Sequence, residues 1–135
     1  MTTREIKVEK PSEDKPNDGK TETTETVNSE GLHYITGKSV VSAERLRTYI
    51  KSVRPDIQQS VLDMIPYYIS EGEAEGIAGD VVFAQSCIET GNFKFNPATC
   101  AVTIDQNNFA MMGVTGTYVK GESFATPQLG IRAQI

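Results

Sequence analysis

Two clusters of side chains in this chain have the types and spacing to do chemistry. The first is Ala84-Gln85-Ser86-Cys87-Ile88-Glu89-Thr90-Gly91, where one carboxylate closes an almost wholly apolar run. Apolar burial disfavours a charged carboxylate, and so does the negative end of a helix dipole. Both effects suit Glu89 to act as a proton donor. The second cluster is Asp105-Gln106-Asn107-Asn108-Phe109, followed by Gly113-Val114-Thr115-Gly116. Amides hydrogen-bond sugar hydroxyl and acetamido groups, while a ring packs on the apolar face of a pyranose. Cleaving a glycosidic bond takes an acid at the leaving oxygen and a group that stabilises an oxocarbenium-like centre. The sequence offers those groups. It offers neither a phosphate-cradling glycine loop nor a Ser or Cys nucleophile paired with a base.

The elements that must position these residues are mostly helical. Asp80 is a natural N-cap for the Glu89 helix, and Gly91 stands where a helix stops in the left-handed conformation. Apolar residues occur all round that helix, which predicts a buried one. Upstream, Ser42 can cap a helix in which Ala43, Leu46, Ile50 and Val53 recur, and Pro55 ends it. Asp56 can cap a second helix carrying Ile57, Val61, Met64 and Ile65. Pro66 then breaks or kinks it, or opens a new helix towards Gly72. The Glu71–Gly76 stretch reads as a helix end and loop, with Glu71, Glu73 and Glu75 on a solvated face. Residues 92–125 read as a loop-rich lobe in which Ala101–Ile104 is strand-like. Thr126-Pro127 opens a last helix carrying Leu129, Ala133 and Ile135. That pattern reaches the end of the chain without a stop signal, the mark expected of a C-terminally truncated domain.

Composition divides the chain. Residues 1–33 are mainly Thr, Glu, Lys, Asp and Pro, the composition of a disordered charged tail, and 34–135 have that of one folded domain. The net charge of -5 over 135 residues argues against nucleic acid or an anionic membrane as partner. No run has transmembrane length, and the N-terminus lacks the apolar core of a signal peptide. Cys87 and Cys100 have no metal or redox spacing, and His33 is the one histidine. No metal, cofactor or histidine triad is therefore expected, and Cys87 reads as a small core residue.

The order Gly-Asp, Phe-Ala-Gln-Ser, Glu-Thr-Gly, then Gln-Asn-Asn-Phe, then Ser-Phe, Thr-Pro and Gly-Ile-Arg-Ala-Gln-Ile resembles the bacterial glucosaminidase family over residues 34–135. These are peptidoglycan hydrolases of lysozyme-like fold, found in autolysins and phage lysins. The resemblance implies a mainly α (α+β) fold, with a helical lobe and a small irregular β-containing lobe. It implies an endo-β-N-acetylglucosaminidase cutting the β-1,4 bond between N-acetylglucosamine and N-acetylmuramic acid. The partner would be cell-wall glycan, reached by a secreted or phage-released parent. Glu89 falls on the family's proton donor, and Gln106, Asn107, Asn108 and Phe109 on its substrate-binding residues. The chain departs from the pattern at Asn92, Met111 and Ala125, where relatives carry an aromatic, a glycine and an acid. Glu122 is the first candidate for a second catalytic carboxylate and Asp105 the alternative, unless the substrate's 2-acetamido group assists instead. A muramidase or lytic transglycosylase of the same fold, or an inactive fragment, are the competing readings. Asn107 and Asn108 could equally serve as loop residues with unusual backbone angles, and Phe109 as core.

Overall fold

A computed structural model describes residues 29–31, 35–116 and 119–135. His33 and nearly all of the expected 1–33 tail lie outside these residues. The described chain is mainly α-helical, with helices α1 (Ala43–Val53), α2 (Gln59–Glu75), α3 (Gly79–Thr90) and α4 (Pro127–Gln134), and a short 3-10 turn at Ile104–Gln106.

Ser42 caps α1 as expected, its Oγ accepting from the Arg45 N–H at 3.3 Å. Leu46 and Ile50, one turn apart, are the buried face. Pro55 ends the helix by forcing Arg54 out of the helical region, to φ -136°. Asp56 does not cap α2, which starts three residues later behind Gln58. The Arg54 guanidinium takes the Asp56 carboxylate instead, with both contacts at 3.2 Å.

Pro66 does not break α2, which runs through it for 17 residues. A proline inside a helix withholds the N–H owed to the carbonyl four residues back. That carbonyl is Leu62 O, and Arg47 Nε from α1 donates to it at 3.1 Å. The defect in α2 thus becomes a tie to α1.

Gly76, left-handed at φ 68°, closes α2. The backbones of α2 and α3 then meet directly. A Cβ on Gly79 would overlap the Tyr68 carbonyl, and one on Gly72 would lie 2.6 Å from Ile77 O. Asp80 sits in the first turn of α3 rather than at its cap, which is Ala78. Its Oδ2 accepts the Val40 and Val41 N–H groups at 2.9 and 3.0 Å, so it ties the 39–41 segment to α3. Ser39 Oγ in turn accepts from the Asp80 N–H at 3.2 Å, and just upstream Thr36 forms an isolated antiparallel bridge with Ile77.

The expected strand at Ala101–Ile104 does not form. The run bends into the 3-10 turn, where Thr103 and Gln106 make a reciprocal capping box. Among the described residues no strand longer than the one bridge occurs, and apart from the 3-10 turn the described residues of 92–125 are loops around buried side chains. Phe93, Phe95 and Phe109 pack there in one cluster, with Phe93–Phe109 centroids 6.0 Å apart, and Phe83 of α3 stacks on Phe93 at 5.7 Å.

Thr126 caps α4 with Pro127 in the first turn, as expected. Its buried face, however, is Gly130, Ile131 and Gln134, while Leu129 and Ala133 point outward. Gly130 lies against the Asn107 carbonyl, where a Cβ would overlap the oxygen. Replacing it with alanine should therefore destabilise the protein by about 1–3 kcal/mol. A lower urea midpoint with an unchanged slope is the expected readout, and a wild-type midpoint would mean that α4 is not seated on that carbonyl.

Candidate active site

Glu89 stands in the last turn of α3 and is exposed. Burial of this carboxylate was the expectation, and it is corrected. The buried stripe of α3 is Val82, Phe83, Ser86, Cys87 and Thr90. Ala84, Gln85, Ile88 and Glu89 fall on the other side, with Ile88 82% exposed. Apolar composition all round the helix did not mean burial all round. Among the described residues the Glu89 carboxylate has no hydrogen-bond or ion-pair partner.

The backbone beyond it is unusual. Gly91, Asn92 and Phe93 are all left-handed, at φ 62°, 55° and 61°, and Phe95 is again at 49°. Each left-handed residue other than glycine costs about 1–2 kcal/mol. Burying a phenylalanine returns about 1.5–3 kcal/mol, so the aromatic cluster around Phe93 and Phe95 can hold the turn. Hydrogen bonds fix its shape. Thr90 Oγ1 donates to Ser86 O at 2.7 Å and accepts from the Phe93 N–H at 2.9 Å. The Gly91 and Asn92 N–H groups both reach Cys87 O, that of Asn92 at 2.7 Å. Arg54 Nη1, from beyond the end of α1, donates to Asn92 O at 3.0 Å.

The residues expected to bind sugar have internal roles instead. Asn108 is fully buried and its amide is saturated. Its Nδ2 donates to Met112 O and Glu122 O at 2.8 and 3.1 Å, and its Oδ1 accepts from the Met112 and Ala110 N–H groups. Gln106 Nε2 donates to Lys120 O at 2.9 Å and Glu122 O at 3.3 Å. Asn107 is left-handed at φ 52° and donates to Phe124 O at 2.9 Å. Phe109 is 1% exposed in the aromatic cluster. Polar groups in such loops must be satisfied from within, and these amides satisfy the irregular 120–124 backbone. What they position is Glu122. Its N–H donates to Met112 O at 2.9 Å and its carbonyl takes the two amides, while its side chain is exposed over Gly113. Asp105 is exposed in the 3-10 turn.

Two polar links hold α4 to the rest. Tyr68 OH donates to Ser86 Oγ at 2.8 Å, and Ser86 donates to Gln134 Oε1 at 3.1 Å. Burial drives the Tyr68 hydroxyl upward and keeps it protonated as the donor. Glu71 is buried rather than part of a solvated face. Its carboxylate accepts from Arg132 Nε and Nη2 at 2.9 and 3.0 Å and from Gln128 Nε2 at 2.7 Å. Glu73 and Glu75 are exposed, as expected. Cys87 is a buried free thiol, pushed up to about 12 by its burial, and Cys100 is also free.

An open groove of about 440 Å³ runs between α1 and α3, with Leu46, Tyr49, Phe83, Cys87, Ile88 and Asn92 among its walls. None of Glu89, Glu122 and the Gln-Asn-Asn-Phe cluster is among its walls. Among the described residues no His, Cys, Asp and Glu cluster could hold a metal ion, and no helix is long and apolar enough to cross a membrane.

Comparison with known proteins gives one relative of note. A protein of Borreliella burgdorferi, described as uncharacterized, is 30% identical over 113 residues, which are 83% of this chain and 54% of the relative. The chain thus spans about half the length of the curated relative it matches. No family model matches the chain, and no solved structure matches it.

Sequence reasoning missed Arg54, Thr90 and the Glu71–Arg132 pair as parts of this framework. Thr90 was legible in principle, because a buried β-branched hydroxyl at a helix end must find a backbone partner. The other two depend on contacts across 38 and 61 residues of chain, which no local pattern reveals.

The Glu71 pair sets a pH dependence. Arg132, then Gln128, holds the carboxyl down from its ordinary 4.5 to about 2. Because the folded-state value is depressed, the stabilisation is complete above 4.5 and is lost as pH falls through about 2. Urea midpoints measured from pH 6 down to pH 2 should decline more steeply for wild type than for Glu71→Gln, whose own midpoint is lower at neutral pH. Parallel pH curves would show that the pair carries no such stabilisation.

Proposed function

We propose that this protein is a peptidoglycan hydrolase, an endo-β-N-acetylglucosaminidase with a lysozyme-like arrangement of lobes, in which Glu89 is the general acid. The observation that carries this reading is where Glu89 stands. A carboxylate at a helix C-terminus faces the unfavourable end of the dipole, and among the described residues this one has no cation or donor to offset that. The turn after it adds backbone strain. Strain and unfavourable charge together are what an active site imposes on a scaffold, not what stability selects. The other polar motif residues have structural work, in Thr90, Gln106, Asn107, Asn108, Arg132 and Gln134 alike. Glu89 has none.

In this reading Glu89 protonates the oxygen of the β-1,4 bond as it leaves N-acetylglucosamine. Glu122, whose backbone the Gln106 and Asn108 amides hold, is the carboxylate that meets the developing positive charge. The cell-wall glycan strand is the substrate. Water completes the hydrolysis and leaves N-acetylglucosamine at the new reducing end.

Glu89→Gln tests this on purified cell walls. Removing the acid should lower the cleavage rate by about 10²–10⁴-fold. Because the residue is exposed and unpartnered, stability should stay within about 0.5 kcal/mol of wild type. Mass spectrometry of borohydride-reduced products should show reduced N-acetylglucosamine ends. Reduced N-acetylmuramic acid or anhydro ends would assign the other glycan bond, and full activity in the variant would remove Glu89 from the chemistry.

A further inference from the structure

We propose that Arg54 is a positioning residue for this reaction: its buried guanidinium, bonded to the Asn92 carbonyl, holds the left-handed turn that fixes Glu89 at the end of α3. The inference rests on the reading of Glu89 as proton donor.

The geometry of Arg54 exceeds what a helix-end ion pair requires. Its side chain is 10% exposed, whereas that of its partner Asp56 is 79% exposed. An ion pair with so exposed a partner contributes little on its own, and burying a guanidinium is unfavourable unless its donors are met. The third bond, Nη1 to Asn92 O at 3.0 Å, gives that burial a reason. Asp56 accepts from Nε and Nη2 at the exposed end of the fork, while Nη1 reaches across to the turn on its own. A lysine has one ammonium and cannot make both sets of bonds in that geometry.

The receiving carbonyl belongs to the middle of the three left-handed residues. The Asn92 N–H closes back on Cys87 O, inside the last turn of α3 that carries Glu89. Arg54 therefore grips one side of a peptide-linked loop whose other side caps the helix. Without the grip, Asn92 and Phe93 can relax from φ 55° and 61° towards ordinary angles. The cap on Cys87 O then opens, and the last helical turn frays with Glu89 on it. Arg54 touches no substrate in this scheme and acts through the turn.

The test is Arg54→Lys beside Asp56→Asn, with steady-state kinetics on purified peptidoglycan and amide hydrogen exchange by NMR. Misplacing an acid by about an ångström can reduce turnover up to about 100-fold, so Arg54→Lys should lower kcat by about 10- to 100-fold with little change in KM. The Asn92 and Phe93 amides should exchange about tenfold faster or more, while the Ile65 amide in α2 keeps its wild-type rate. Asp56→Asn retains the bond to Asn92 O and should keep kcat within about twofold of wild type. Wild-type kcat in Arg54→Lys overturns the positioning role, as does a lowered kcat without faster exchange at Asn92 and Phe93. An Asp56→Asn variant whose kcat falls tenfold or more overturns it too, since the effect would then run through the α1–α2 link; this criterion, with unchanged exchange at Asn92 and Phe93 in Asp56→Asn, holds even if Arg54→Lys does not fold. A wild-type protein that cuts no glycan removes the acid reading itself, and the positioning role with it, whatever Arg54 does to the turn.

Discussion

The contact on which the structure most depends is the meeting of two backbones. At Gly72 and Gly79 the chain of α2 lies directly on the start of α3, with no side chain between them. A methyl group at Gly79 would occupy the position of the Tyr68 carbonyl, so the approach leaves no slack. Close packing of this kind sets a helix axis rather than merely attracting it, because dense interiors resist even one added carbon. The angle and height of α3, and with them the location of Glu89 at its far end, follow from that crossing.

The helix so placed is then held by polar groups that have little choice of partner. Tyr68, Ser86 and Gln134 form a buried relay through α2, α3 and α4, and the Glu71–Arg132 fork joins α2 to α4 a turn further along. α2 is the common member and packs against each of the other three helices. Even its proline serves the connection, since the carbonyl that Pro66 leaves free is the one Arg47 of α1 takes. Buried polar networks of this type are high-stakes, because one missing member leaves another unsatisfied in a low dielectric. They fix relative helix positions in a way that the apolar contacts of Val61, Ile65 and Val82 alone would not.

The parts of this arrangement legible in the sequence are those governed by local rules. Ser42, Thr126 with Pro127, and the left-handed Gly91 are helix ends that depend on four or five consecutive residues, and each stands where such rules put it. The Asp56 and Asp80 caps failed because both carboxylates found other partners, Arg54 two residues back in one case and the distant Val40 and Val41 amides in the other. The Ala101–Ile104 strand failed for want of a neighbour, since β propensity expresses pairing and the loop offers no edge to pair with. The Gln-Asn-Asn-Phe cluster was recognised as special, but for a reason different from the physical one. Amides suited to sugar hydroxyls suit backbone carbonyls equally well, and composition cannot tell the two apart. Burial decides it, and burial is a tertiary property.

Strain is distributed unevenly, and that distribution bears on function. Among the described residues every non-glycine at positive φ lies between Asn92 and Met111, in the loops that follow Glu89, and none lies in the helices. A loop lobe without a sheet must obtain its order elsewhere. Here the order comes from three buried phenylalanines and from amides bonded to backbone, which together outweigh the angles they impose. The helices make a relaxed scaffold; three of the five strained residues, Asn92, Phe93 and Phe95, directly follow the helix that ends at Glu89 and Thr90, and the other two, Asn107 and Met111, lie further along the loops. If strain were incidental to an irregular chain, it would also occur at the 35–42 segment and in the 55–58 connection, which are equally irregular, yet no non-glycine there is left-handed. Strain is thus a property of the loops that the phenylalanine cluster and the amides hold, and its densest stretch, Asn92 to Phe95, is the one that closes α3.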